Sequence, residues 1–225
     1  GVQTCALPIS SELIKIWEGE KLTKQQASEV SGIKTVFWIE DFDSVIQNII
    51  TGADYVYLSH NDHPRAKIIV ESRNNRLGRD LKSKYPNKSF LESSPIINEI
   101  RSIKELAEVN TIKHACDITK SGFNRILKFI KPGLMEYNIE AELIHEFKNN
   151  KSKGFAYEPI IASGKNACVL HYTSNNQKIL DGDIILMDFG AEYLNYASDL
   201  TRCVPSNGRF TQRDRKSTRL NSSHQ

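Results

Sequence analysis

The chain has 225 residues, 39% of them hydrophobic and 25% charged, with 12 glycines and 7 prolines. That is the profile of an ordinary globular protein, long enough for one large or two modest domains, and it excludes disordered, collagen-like and disulfide-stapled chains. Lys and Arg number 30 against 27 Asp and Glu, a net charge of +3 that leaves no footprint for a nucleic-acid partner. No apolar run reaches the roughly 18 residues that a membrane span requires.

Cys5, Cys116, Cys168 and Cys203 are widely spaced and form no C-x-x-C pair for zinc or redox work. They point to a reducing compartment, the cytoplasm, with Cys116 and Cys168 read as small buried apolar residues. The opening GVQTCALPIS has neither the basic start nor the long apolar stretch of a signal peptide. Both it and the closing RKSTRLNSSHQ read as non-native, so residues 1–10 and 213–225 are set outside the fold.

In chain order, KTVFWIE (34–40) and DYVYLS (54–59) are rich in β-branched and aromatic residues and predict strands. Between them Phe42, Val45, Ile46, Ile49 and Ile50 recur at helical steps before Gly52, which predicts a β-α-β unit. AKIIVES (66–72) predicts another strand and LGRDLKSKY (77–85) a short helix stopped by Pro86. His60 and His63 form H-x-x-H, but a proline follows and no third ligand is evident, so they read as a solvated loop.

Ser93, Ser94 and Pro95 mark a junction, and Ser102 with Glu105 has the S-x-x-E form of a capping box. From there Leu106, Val109, Ile112, Cys116, Thr119, Phe123, Ile126 and Ile130 make one stripe of a long helix that ends at Lys131-Pro132-Gly133. A second helix carries Ile139, Leu143 and Phe147 on one face, with His145 at the surface. After Gly154 the period becomes two: FAYEPIIAS (155–163), ACVLHYTS (167–174) and DIILMDFGAEY (183–193) predict strands. The organisation is an α/β domain over 11–101 followed by an α+β domain over 102–212.

Asp188 lies in a strand whose Ile184, Leu186 and Asp188 face one way and Ile185, Met187 and Phe189 the other. A charge there is costly unless it is paired, hydrogen-bonded or bound to metal. A hairpin centred on Tyr193 and Leu194 would set Asp188 directly opposite Asp199, and two ionised carboxylates in that relation repel. Such a pair persists by sharing a proton, meeting a cation or binding metal. The spacing alone leaves three readings open: a hard-ligand metal site, a structural arrangement with Arg202 nearby, and a catalytic acid pair.

The run GFAYEPIIASGKNACVLHYTSNNQKILDGDIILMDFGAEYLNYASDLTR resembles the pita-bread metallopeptidases, in their Xaa-Pro aminopeptidase and prolidase branch. The parts that carry the resemblance are S-G-x-N before the H-Y pair at His171, D-G-D, M-D-F-G-A-E-Y with Asp188, and S-D-x-T-R with Asp199. Residues 11–101 resemble the later part of a creatinase-type N-terminal domain.

The resemblance implies two divalent metal ions, typically Mn. It makes Asp188 a ligand of one and Asp199 a bridge between both, and gives His171 a hydrogen bond to substrate near the scissile bond. The implied reaction is hydrolysis of the bond before proline by two-metal catalysis. The implied partner is a peptide with proline at its second position, and the implied assembly a homo-oligomer, with no nucleic acid and no membrane. The family pattern also requires a further His and two Glu ligands, which this chain lacks. The expectation is therefore an inactive fragment of an active enzyme. Prolidase activity on dipeptides, or a non-catalytic binding role, stand as the alternatives.

Overall fold

The structure is a computed structural model and describes residues 4–7, 12–59 and 70–215. The chain divides into two compact units, Gly1–Ile103 and Lys104–Gln225.

The first unit holds β1 (Thr4–Leu7), α1 (Glu12–Glu18), α2 (Lys24–Ser31), β2 (Thr35–Trp38), α3 (Phe42–Thr51), β3 (Tyr55–Leu58), α4 (Arg73–Lys84), β4 (Ser89–Glu92) and α5 (Ser94–Ser102). The strand and helix expectations over 34–59 hold, but β2 and β3 do not pair with each other. Among the described residues β2 runs parallel to β1 and β3 parallel to β4, in two separate ladders. Thr4–Leu7, set outside the fold on composition, thus forms a strand. A ladder is made by backbone groups, and any extended segment can satisfy them. Helix α4 starts a turn earlier than predicted because the Ser72 hydroxyl accepts from Asn75 N at 3.1 Å. Residues 66–69 of the expected third strand, and the His60/His63 pair, lie outside the described residues.

The second unit begins with α6 (Leu106–Phe129) and α7 (Glu136–Asn149). Ser102 does not cap α6: it ends α5 and donates its hydroxyl to Glu99 O at 2.7 Å. The box forms three residues later, at Glu105, whose N–H donates to Glu108 Oε2 at 2.7 Å. The buried face of α6 is Ala115, Ile118, Thr119, Gly122 and Ile126, so the stripe is rotated from the one predicted, leaving Leu106 and Cys116 exposed. Cys168 is exposed as well, against the expectation of burial. Gly122 permits the close crossing of α6 and α7, since a β-carbon there would lie 2.8 Å from the Phe147 ring and 3.1 Å from Leu143 Cδ2.

Facing these helices, β7 (Ile184–Phe189) is the centre of a three-stranded antiparallel sheet, between β6 (Ile160–Ser163) and β10 (Leu200–Pro205). A second small sheet joins β5 (Gly154–Phe155), β8 (Ala191–Tyr193) and β9 (Tyr196–Ala197). The predicted strand 155–163 is split, because Pro159 has no N–H to give a ladder. Ile139, Leu143 and Phe147 pack with Ile161, Ile179, Ile185, Met187 and Phe189 in one core. Alternation in β7 is as predicted: Ile185, Met187 and Phe189 are fully buried, while Ile184, Leu186 and Asp188 are half-buried. ACVLHYTS is not a strand. Gly164–Cys168 form a turn of 3-10 helix, and the segment beyond it is irregular, with Asn175 at φ 44°.

Candidate active site

The turn between β8 and β9 has Leu194 and Asn195 both at positive φ, 48° and 66°, the backbone of a two-residue hairpin turn with primed geometry. Its centre therefore lies one residue later than predicted. Glu192 opposes Ala197, and Asp188 opposes Thr201, not Asp199. This corrects the directly opposed carboxylate pair. Asp199 is instead the diagonal neighbour, two residues from Thr201, and a shift of two keeps it on the same side of the strand pair.

Asp199 lies where the ladder breaks between β9 and β10. The break is built by Gly190, Ser198 and Thr119. Ser198 is buried and donates its N–H to Ala191 O at 3.1 Å, and its hydroxyl lies 2.6 Å from that of Thr119 on α6. Ala191 N donates to both hydroxyl oxygens, at 2.9 and 3.0 Å. The backbone that carries Asp199 is thus tied to the long helix by buried polar contacts.

The two carboxylates meet at a residue that sequence reasoning missed. The Tyr157 hydroxyl, from the break between β5 and β6, donates to Asp188 Oδ1 at 2.6 Å and lies 3.1 Å from Asp199 Oδ1. One O–H serves one acceptor at a time, so it bridges the pair by alternation or by sharing. Burial, and then its bonds to Asp188 and Asp199 and their charges, push the Tyr157 hydroxyl far above the ordinary tyrosine value and keep it protonated. No motif or period flagged Tyr157; the nearest signal was the strand-breaking Pro159 two residues on. Among the described residues Arg202 makes no ion pair with either carboxylate, and its Nη1 donates to Thr201 O at 2.7 Å.

His171 is exposed on the irregular segment between β6 and Ile179 and makes no hydrogen bond or ion pair with Asp188 or Asp199. Two carboxylates converging on a neutral hydroxyl are hard oxygen donors, of the kind that Mn or Mg takes. They fit a divalent ion in kind and fall short in number. Among the described residues no group of three His, Cys, Asp or Glu could hold a metal.

Comparison with known proteins defines the class. The family model "Metallopeptidase family M24" matches residues 110–224, and that for the N-terminal domain of aminopeptidase P matches residues 4–57. The chain belongs to the M24 metallopeptidases, a family of divalent-metal peptidases, with the α/β N-terminal and α+β pita-bread domains of aminopeptidase P.

Among individual relatives, the Xaa-Pro aminopeptidase of Escherichia coli is 32% identical over 203 residues, covering 90% of this chain and 46% of that protein. The Xaa-Pro aminopeptidase of Haemophilus influenzae is 31% identical, over 91% of this chain and 45% of that protein. Of solved structures, the Pseudomonas aeruginosa aminopeptidase PepP superposes with a TM-score of 0.81 at 31% identity, over 94% of this chain and 48% of the other. A zinc-substituted Escherichia coli aminopeptidase P in complex with product gives 0.78 at 30% identity, over 93% and 48%. The chain spans about half the length of the curated relatives it matches.

Proposed function

We propose that the protein of which this chain is a part is a metal-dependent aminopeptidase that removes the residue preceding a proline. The observation that carries the proposal is the convergence of Asp188 and Asp199 on Tyr157, in an M24 chain whose relatives are named Xaa-Pro aminopeptidases. Asp188 and Asp199 would be the ligands that this chain supplies to the divalent ions. A further His and two Glu from outside this chain complete the set, so the 225 residues alone are inactive. The metal pair, most simply Mn, supplies when bound an activated water and a Lewis acid for the scissile carbonyl.

The chain's own residues do the rest. Tyr157, held neutral, restrains both carboxylates in one orientation, as partners of metal ligands do. His171, exposed and beyond direct contact with the pair, donates to the substrate near the scissile bond. Among the described residues no helix is long and apolar enough to cross a membrane, and Cys116, Cys168 and Cys203 are free thiols. The free thiols fit a reducing compartment such as the cytoplasm, and the near-balanced charge fits a peptide better than a nucleic acid; the proposed substrate is a peptide with proline second and the proposed assembly a homo-oligomer.

The test is hydrolysis by the full-length protein with Mn. Tripeptides and longer peptides of the form Xaa-Pro-Yaa are expected to release the first residue. Cleavage confined to Xaa-Pro dipeptides would replace the reading with prolidase, and no cleavage with bound metal would replace it with a binding role.

A further inference from the structure

Glu136, the first residue of α7, is 0% exposed, although it is a carboxylate with no salt bridge to any described residue. A charge so placed is tolerable only if hydrogen bonds replace its water. Five do, all from neutral donors on one segment. Oε1 accepts from Ser163 N at 2.8 Å, from the Ser163 hydroxyl at 2.7 Å and from Asn166 Nδ2 at 3.5 Å. Oε2 accepts from the Tyr172 hydroxyl at 2.7 Å and from Gln177 N at 3.0 Å, while Glu136 N donates back to Gln177 O at 3.0 Å. Burial alone would push this carboxyl up. The bonds from Tyr172, Gln177 and Ser163 outweigh that and hold it below the ordinary glutamate value.

The donors come from the beginning, the middle and the end of the stretch 163–177, which carries His171. Apolar burial does not hold its outer part, since Val169 is 53% and Leu170 89% exposed. A second buried side chain, Asn175, fixes the other flank. It accepts from Ile161 N at 2.9 Å and donates to Pro159 O at 2.9 Å and to Glu140 Oε2 at 3.0 Å. The outer part of the segment, where His171 lies, is thus tied down chiefly by polar contacts, and its neighbour Tyr172 makes the one nearest to it in sequence.

Resting on the role proposed above for His171, we infer that Glu136 is its positioning residue: the buried carboxylate gathers the 163–177 segment and holds His171, through Tyr172, where it meets the substrate. Misplacing a substrate-contacting group by about an ångström costs up to roughly 100-fold in rate. Glu136 makes its side-chain hydrogen bonds to Ser163, Asn166, Tyr172 and Gln177, and none to Asp188 or Asp199.

The experiment uses the full-length protein with Mn and an Xaa-Pro tripeptide, and compares wild type, Tyr172→Phe, His171→Ala and the double variant. Tyr172→Phe removes one hydroxyl and is the mild probe; Glu136→Gln, which offers a donor where two acceptors are needed, is the stronger one. Tyr172→Phe is expected to lower kcat about tenfold with bound metal unchanged, and to cost nothing further in the His171→Ala background. Equal losses in both backgrounds would overturn the inference and leave the peptidase reading standing. If the wild-type protein cleaves no Xaa-Pro peptide, the peptidase reading fails by that result. Amide hydrogen exchange then decides the structural half: faster exchange confined to 164–177 in Tyr172→Phe and Glu136→Gln sustains the anchoring, and unchanged exchange there overturns it.

Discussion

Gly190 lies between β7 and β8, where the backbone of Ser198 and Asp199 crosses it. A β-carbon at this position would lie 1.8 Å from Ser198 O, 2.5 Å from Ser198 C and 3.1 Å from Asp199 N. Its φ is not in the left-handed region, so glycine is required here for space and not for torsion. The obstructing atoms are backbone and cannot swing aside. Ser198 must retreat by about an ångström, which pulls against its bonds to Ala191 and Thr119. Overpacking typically costs about 1–3 kcal/mol, and loosening one or two buried hydrogen bonds adds roughly 1 kcal/mol each. Gly190→Ala is therefore expected to destabilise the full-length protein by about 4 kcal/mol. Urea unfolding measures this directly, with Gly182→Ala as the control: Gly182 has φ +81° and open space around it, so that variant bears torsional strain only, about 1 kcal/mol. If Gly190→Ala lost no more than Gly182→Ala, the crowding argument would be refuted.

Three further outcomes are expected of the full-length protein. Tyr157→Phe removes the donor that Asp188 and Asp199 share and should weaken metal binding or activity about 10- to 100-fold; metal titration with unchanged affinity and unchanged turnover would show that the hydroxyl orients nothing. Asp199→Asn should strip metal and activity together, and metal analysis finding a full complement would sink the bridging assignment. Glu136, lowered from the ordinary 4.5, binds its proton less readily folded than unfolded. Its contribution is thus present above about pH 4.5 and lost as pH falls through the folded value. Urea midpoints from pH 7 to pH 3 should fall more steeply for wild type than for Glu136→Gln, and parallel curves would contradict the linkage.

Much of the second unit was legible because its signals are periodic. The Ile139, Leu143 and Phe147 face of α7 and the alternation of β7 record burial directly, and both are as the sequence implied. What escaped was set by contacts distant in sequence. Whether β2 pairs with β3 depends on which ladders the rest of the chain offers, and period-two patterning is silent on that. The cap of α6 moved from Ser102 to Glu105 because Ser102 was already the end of another helix. The stretch 167–174 looked like a strand from its Val, Tyr and Thr content. The Tyr172 hydroxyl within it and Gln177 N just beyond it are instead taken by Glu136, a side chain that no local pattern marks as a buried acceptor.

The carboxylate pair shows why a wrong register still placed Asp188 and Asp199 on one side of the strand pair. Side chains along a strand alternate, so a shift of one in the residue opposed to Asp188 would have sent Asp199 to the other face. Moving a two-residue turn by one position changes the opposed residue by two, from 199 to 201, and parity is preserved. Shared facing was therefore robust to the error in the turn, whereas direct opposition was not. The diagonal relation suits the proposed chemistry better. Directly opposed carboxylates would leave about 5 Å between β-carbons, while the offset leaves room for the Tyr157 hydroxyl between Asp188 and Asp199. Ions held between the carboxylates, as proposed, would need that separation, and the position of a hairpin turn, with Leu194 and Asn195 at positive φ, sets it.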